Sequence, residues 1–178
     1  RAMRSLPAEA TEQRHGVDME GVRLFLEADI AGIRGDWARV ARDLDQLETP
    51  PWADKQQLQS VRSFWYEVQG RHEEASKHLA LTGPVPERWT PPLMGGDAHY
   101  GLMETAQVRI YRATGRGDEA GRMVGERLPR MRAEVRAVGT GCTLEGQTYG
   151  GWMRYASLAA NEGLKDEAVG ALKGAMRC

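Results

Sequence analysis

Two cysteines in 178 residues are too few for a disulfide scaffold, and neither Cys142 nor Cys178 has the neighbours that complete a zinc site. The histidines His15, His72, His78 and His99 show no metal-ligand spacing, and the interval from His72 to His78 puts that pair on different faces of a helix. No apolar run approaches the roughly 18 residues of a membrane span, so no insertion into a bilayer is expected. A net charge of −1 and a pI near 6.5 argue against a protein that works mainly by holding phosphates, and no nucleic-acid partner is expected. Basic residues do gather at Arg122, Arg127, Arg130, Arg132 and Arg136, but Glu126 and Glu134 interrupt them, which predicts a solvated helix face. Also missing are G-x-S-x-G, a P-loop, H-E-x-x-H and a glycine-rich nucleotide fingerprint. Asp97 and His99 read as a helix N-cap followed by a surface histidine, and Asp43 and Asp45 as helix-surface acids. No enzyme activity, cofactor or metal is therefore expected.

What the chain has is a repeated bend. Gly70-Arg71-His72-Glu73-Glu74-Ala75, Gly115-Arg116-Gly117-Asp118-Glu119-Ala120 and Gly163-Leu164-Lys165-Asp166-Glu167-Ala168 share one pattern, with a looser copy at Gly35-Asp36-Trp37-Ala38-Arg39-Val40. The glycine ends one helix by taking the left-handed conformation, which costs it no Cβ clash. Acids after it meet the positive end of the next helix dipole. The alanine lies where the two helices cross and lets their backbones approach.

Apolar periodicity on either side of each bend predicts helical hairpins over 17–49, 52–82, 97–138 and 147–178, after an extension at 1–16. Asp36 is the expected N-cap of the helix carrying Val40, Leu44 and Leu47. Pro50-Pro51 stops that helix. Residues 82–97 form a Pro-rich loop around Trp89, read as an insertion pinned to the core or as a lid. Pro129 is expected to kink or split the helix that starts at Asp118. No strand pattern survives, so the expected fold class is all-α, with about four hairpins.

The bend glycines at 35, 70, 115 and 163 are 35, 45 and 48 apart, near one 34-residue period plus insertions. With Trp152 eleven and Ala156 seven before Gly163, and Tyr66 and Tyr111 four before their glycines, the chain resembles the tetratricopeptide repeat family. It departs from the family pattern at Val40 and Val108, which stand where smaller residues are usual, and its closing prolines occur only at Pro50-Pro51. The resemblance implies an α-α superhelix over residues 20–178 whose first helices line a concave peptide-binding face. Carried over by position, that face holds Val22, Phe25 and Asp29, then Gln57, Ser60, Phe64 and Glu67. It continues with Leu102, Thr105, Arg109 and Arg112, then Met153, Ser157 and Asn161. Arg109 and Arg112 could grip one carboxylate or phosphate between them, or instead pair with Glu104 or face water. Phe64 fits groove and core equally.

The leading expectation is a non-catalytic protein- or peptide-binding or sensor domain of a larger regulatory protein. The degenerate repeats are similar to the C-terminal regions of bacterial membrane-linked winged-helix transcription regulators, which implies a periplasmic location. Cys142 and Cys178 flank the last hairpin at one end, so a disulfide closing it is geometrically plausible; two free thiols are the alternative. A rival reading is a self-associating scaffold joined through terminal helices, the last of them offering Ala168, Val169, Ala171, Leu172, Ala175 and Met176. A third is a small-molecule sensor with the Trp89 loop as its lid.

Overall fold

A computed structural model describes residues 19–48, 55–82, 97–138 and 147–177. The Trp89 loop and the pairing of Cys142 with Cys178 lie outside the described residues. Among those described there are eight helices and no strand: α1 (Met19–Ile33), α2 (Trp37–Gln46), α3 (Lys55–Val68), α4 (His72–Leu81), α5 (Asp97–Ala113), α6 (Gly117–Val138), α7 (Gln147–Asn161) and α8 (Lys165–Ala175). The chain divides into two compact units, Arg1–Ala53 and Asp54–Cys178.

All four bends close in the same way. Gly35, Gly70, Gly115 and Gly163 have φ of 74°, 74°, 78° and 74°. The following N–H donates to the carbonyl four residues before the glycine, from Asp36 to Ala31 (2.9 Å), Arg71 to Tyr66 (2.9 Å), Arg116 to Tyr111 (2.7 Å) and Leu164 to Ala159 (2.9 Å). Each glycine N–H also reaches the carbonyl three residues back. These two bonds define the Schellman motif, which satisfies carbonyls that a helix end otherwise leaves open. Five residues past each glycine, Val40, Ala75, Ala120 and Ala168 are buried at the helix crossing.

The next helix is entered differently in different hairpins. Asp36 caps α2 with its side chain, accepting from the Arg39 N–H at 3.1 Å. Arg71 offers no side-chain cap. Its guanidinium instead lies 4.5 Å over the Tyr66 ring and donates to Glu74 at 2.9 Å. Arg116 repeats this arrangement, 4.1 Å over Tyr111 and 2.6 Å from Glu119. A cation on the ring face and a carboxylate in the first helical turn together clamp the bend from outside.

In the first unit, Leu24, Phe25, Ala28 and Ala31 of α1 pack with Val40 and Leu44 of α2 and the following Leu47. Phe25 is fully enclosed there, so it lines no open face. Asp43, expected on the surface, is buried and is held by Arg39 at 3.3 Å and Arg42 at 3.5 Å. Its carboxylate can sit inside because the neighbouring guanidiniums replace lost water.

In the second unit each hairpin packs on the next. The first helices follow one another, α3 against α5 and α5 against α7, while α4 packs on α5 and α6 on α7. One apolar cluster joins Val108 and Ala120 to Leu128, Met131 and Val135 of α6, and to Tyr155, Leu158, Ala159, Ala168 and Ala171 of the last hairpin. Ser63 stands at a crossing where α1 and α7 place alanine, and its hydroxyl donates to the Ala75 carbonyl at 2.9 Å.

Pro129 does not split its helix; α6 runs unbroken from Gly117 to Val138. A helical proline ring collides with the carbonyl of residue i−4 and leaves that carbonyl without a donor. Here that residue is Gly125, which is exposed and has open space where a side chain would stand. Its carbonyl can tilt away from the ring and be met by water.

The last hairpin is closely fitted at one point. A Cβ built on Gly174 would lie 2.7–2.8 Å from ring atoms of Trp152. Gly174→Ala gains helix propensity of about 1 kcal/mol, but overpacking of about 2 kcal/mol outweighs it. The expected net loss is about 1 kcal/mol, measured as a lower urea midpoint. An unchanged or raised midpoint would show that Trp152 shifts without cost.

Candidate functional site

Of the residues proposed for a binding face, Val22, Phe25 and Asp29 belong to α1 of the first unit, with Asp29 half-buried and the Val22 side chain outside the described residues. The others described come from α3, α5 and α7, whose order in the stack brings them alongside one another. Where two such helices touch, polar side chains meet in pairs. Glu67 of α3 is buried and takes a two-pronged contact from Arg109 of α5, with Nε 2.6 Å from Oε1 and Nη2 2.7 Å from Oε2. Further along α5, the Thr105 and Ser157 hydroxyls are 2.8 Å apart. Arg112 reaches Glu162, just past α7, at 2.7 Å, and Asn161 donates to the same carboxylate at 2.9 Å. Arg112, foremost, and also Asn161 hold the Glu162 carboxyl below the usual carboxylate range.

Arg109 and Arg112 thus engage two separate carboxylates, and neither of these is Glu104. Both keep an outer surface, with side chains 42% and 44% exposed. A guanidinium has five N–H donors, and a two-pronged carboxylate contact occupies two of them. Around this row, Ser60, Phe64 and Met153 are half-buried and Leu102 is exposed. Phe64 meets Trp65 edge to face, with centroids 4.9 Å apart. Gln57 lies on α3, and its side chain is outside the described residues.

Glu104 belongs to a deeper cluster. It is 3% exposed on α5, with Arg154 of α7 at 3.2 Å and Arg127 of α6 at 3.8 Å. Burial pushes its carboxyl above the usual range, against the pull of Arg154 and Arg127. A third cluster ties α6 to the last hairpin. Arg132 holds Glu167 through contacts of 3.0 and 2.9 Å, and the Tyr155 hydroxyl donates to the same carboxylate. The Tyr155 hydroxyl, then Arg132, keep Glu167 below the usual carboxylate range. Arg127 and Arg132, read from sequence as part of a solvated stripe, therefore turn partly inward.

Local pattern misses Glu162, Glu104, Arg127 and Arg154 as members of these clusters. A signal was present for Glu104, which stands eleven before Gly115, at the step occupied by Leu24 before Gly35 and by Trp152 before Gly163. A carboxylate at a core step demands buried cations nearby.

Among the described residues, no group of three or more His, Cys, Asp or Glu could hold a metal ion, and no helix is long and apolar enough to cross a membrane. No family model, curated protein or solved structure matches the chain.

Proposed function

We propose that the chain is a non-catalytic, tetratricopeptide-like helical-repeat domain that binds a protein or peptide along the face shared by α3, α5 and α7. The observation that carries this reading is the row Glu67–Arg109, Thr105–Ser157 and Arg112–Glu162. It fixes polar side chains of successive first helices against one another while leaving both arginine side chains partly exposed. Donors held in place by their own carboxylates lose little freedom when a peptide carbonyl or carboxylate arrives. The four identical bends and the hairpin-on-hairpin packing of α3 to α8 support the repeat assignment. In this reading the domain serves a larger regulatory or signalling protein.

Selection from a displayed library of random peptides, followed by calorimetric titration of an enriched sequence, tests the proposal. Arg112→Ala and Ser157→Arg are each expected to weaken binding at least about tenfold while leaving helical content unchanged. A peptide whose affinity ignores both substitutions, or a library with no enriched sequence, would remove this face as the binding site.

A further inference from the structure

Two helices present apolar stripes to solvent, and the internal repeat indicates what each one fits. On α8 and its C-cap, Val169, Leu172 and Met176 lie on one face and are 49%, 43% and 85% exposed, while Ala168, Ala171 and Ala175 are buried on the adjoining face, about 100° away. On α1, Leu26, Ile30 and Ile33 are 47%, 48% and 82% exposed.

Counting from the bend glycine shows these to be stacking positions. Leu172 and Met176 stand nine and thirteen after Gly163; the residues at those steps after Gly115 are Val124 and Leu128. Both of the latter pack in the cluster that joins α6 to α7. On the receiving side, Leu158 stands five before Gly163 and is 1% exposed in that cluster. At the same step Ile110 and Trp65 are also buried, and Ile30 is the exposed member of the series. So α8 carries the side chains that a second helix uses to cover the next hairpin, and α1 carries the side chains that such a helix covers.

We infer that α8 of one molecule docks on α1 of a second copy of this chain, reproducing between molecules the contact that α6 makes with α7. Each stripe belongs to one compact unit, and the contact joins different molecules. The register favours this pairing over a symmetric one, because α8 carries the covering positions and α1 the covered ones. An interface of two unlike patches joins molecules head to tail, into a closed ring or an open chain. This inference is independent of the peptide-binding reading, since it uses neither Arg109 nor Arg112.

The test is light scattering of the 178-residue chain across concentration. The average mass is expected to rise past that of the monomer. Ile30→Glu and Met176→Glu each place a carboxylate in the contact and are expected to lower the association constant at least about tenfold. Leu172→Glu provides a second substitution on the α8 face. Circular dichroism checks that each variant keeps its helices. Mixing Ile30→Glu with Met176→Glu leaves one intact α8 face and one intact α1 face, so that mixture is expected to form a heterodimer and stop there. A strict monomer at every concentration overturns the inference, whether the faces are inert or covered by another segment. So does a dimer that survives Ile30→Glu, which would mark a symmetric α8 contact, and so does a mixture of variants that stays monomeric.

Discussion

Glu104→Ala is expected to destabilise the protein by about 4 kcal/mol, in the range seen when one partner of a buried ion pair is removed. Arg154 and Arg127, 17% and 22% exposed, would keep their charges and lose the acceptor between them. The three helices meeting at that carboxylate, α5, α6 and α7, also share the main apolar cluster, so the damage would reach beyond one contact. Glu104→Gln keeps the shape and one acceptor oxygen and is expected to cost less than half as much.

The glutamine variant also isolates a pH effect. Burial raises the Glu104 carboxyl above its unfolded range, so the folded state holds that proton more tightly than the unfolded chain. Its stabilising contribution is complete below the ordinary carboxylate range and is lost as pH rises through the raised value. Glu162 and Glu167 are held low, so their contributions are present above the ordinary range and vanish as pH falls through the depressed values. The urea midpoint of wild type relative to Glu104→Gln should therefore fall as pH rises from about 4 to about 8. A difference that stays flat or climbs would mean that the arginines govern the carboxyl and burial does not.

Ala120→Leu is expected to cost about 3 kcal/mol, the upper part of the overpacking range. Ala120 has no exposed surface and lies where α6 crosses α5, inside the same cluster as Val108, Ala159 and Ala168. Three further carbons have no void to enter, so the helices must part or a side chain must leave its rotamer. The contrast lies within the molecule: at the same step α2 carries Val40, buried at 3%. Val40→Ala is expected to open a small cavity and cost about 1 kcal/mol, showing that the first hairpin is spaced for the larger residue. If Ala120→Leu unfolds at the wild-type urea midpoint, close approach at the crossing does not set the hairpin geometry.

The helices and their bends could be read from sequence because their causes are local. A glycine that must reach positive φ, acids in the next turn and a small residue at the crossing all fall within six residues. The polar clusters have causes that are far apart along the chain. Arg109 finds Glu67 forty-two residues earlier and Arg112 finds Glu162 fifty residues later, so neither partner lies in a helical window around the arginine. Phe25 shows the limit of carrying a face over by position. One step of about 100° around a helix separates a groove residue from a core residue, and α1 is rotated so that Phe25 falls inside. For Pro129, the splitting alternative is the one that fails, since α6 is continuous through it, with an exposed glycine at the i−4 position.

That proline has a mechanical consequence. α6 is 22 residues long, about 33 Å, and Pro129 falls near its middle. The first half of α6 belongs to the hairpin with α5, while Met131 and Val135 of the second half press on the last hairpin. A helix missing one rung of its hydrogen-bond ladder bends there at lower energy than elsewhere. Bending within α6 is therefore expected at that joint, whereas α4 has no proline. When α6 is loaded along its axis, its compliance should lie at residues 125–129.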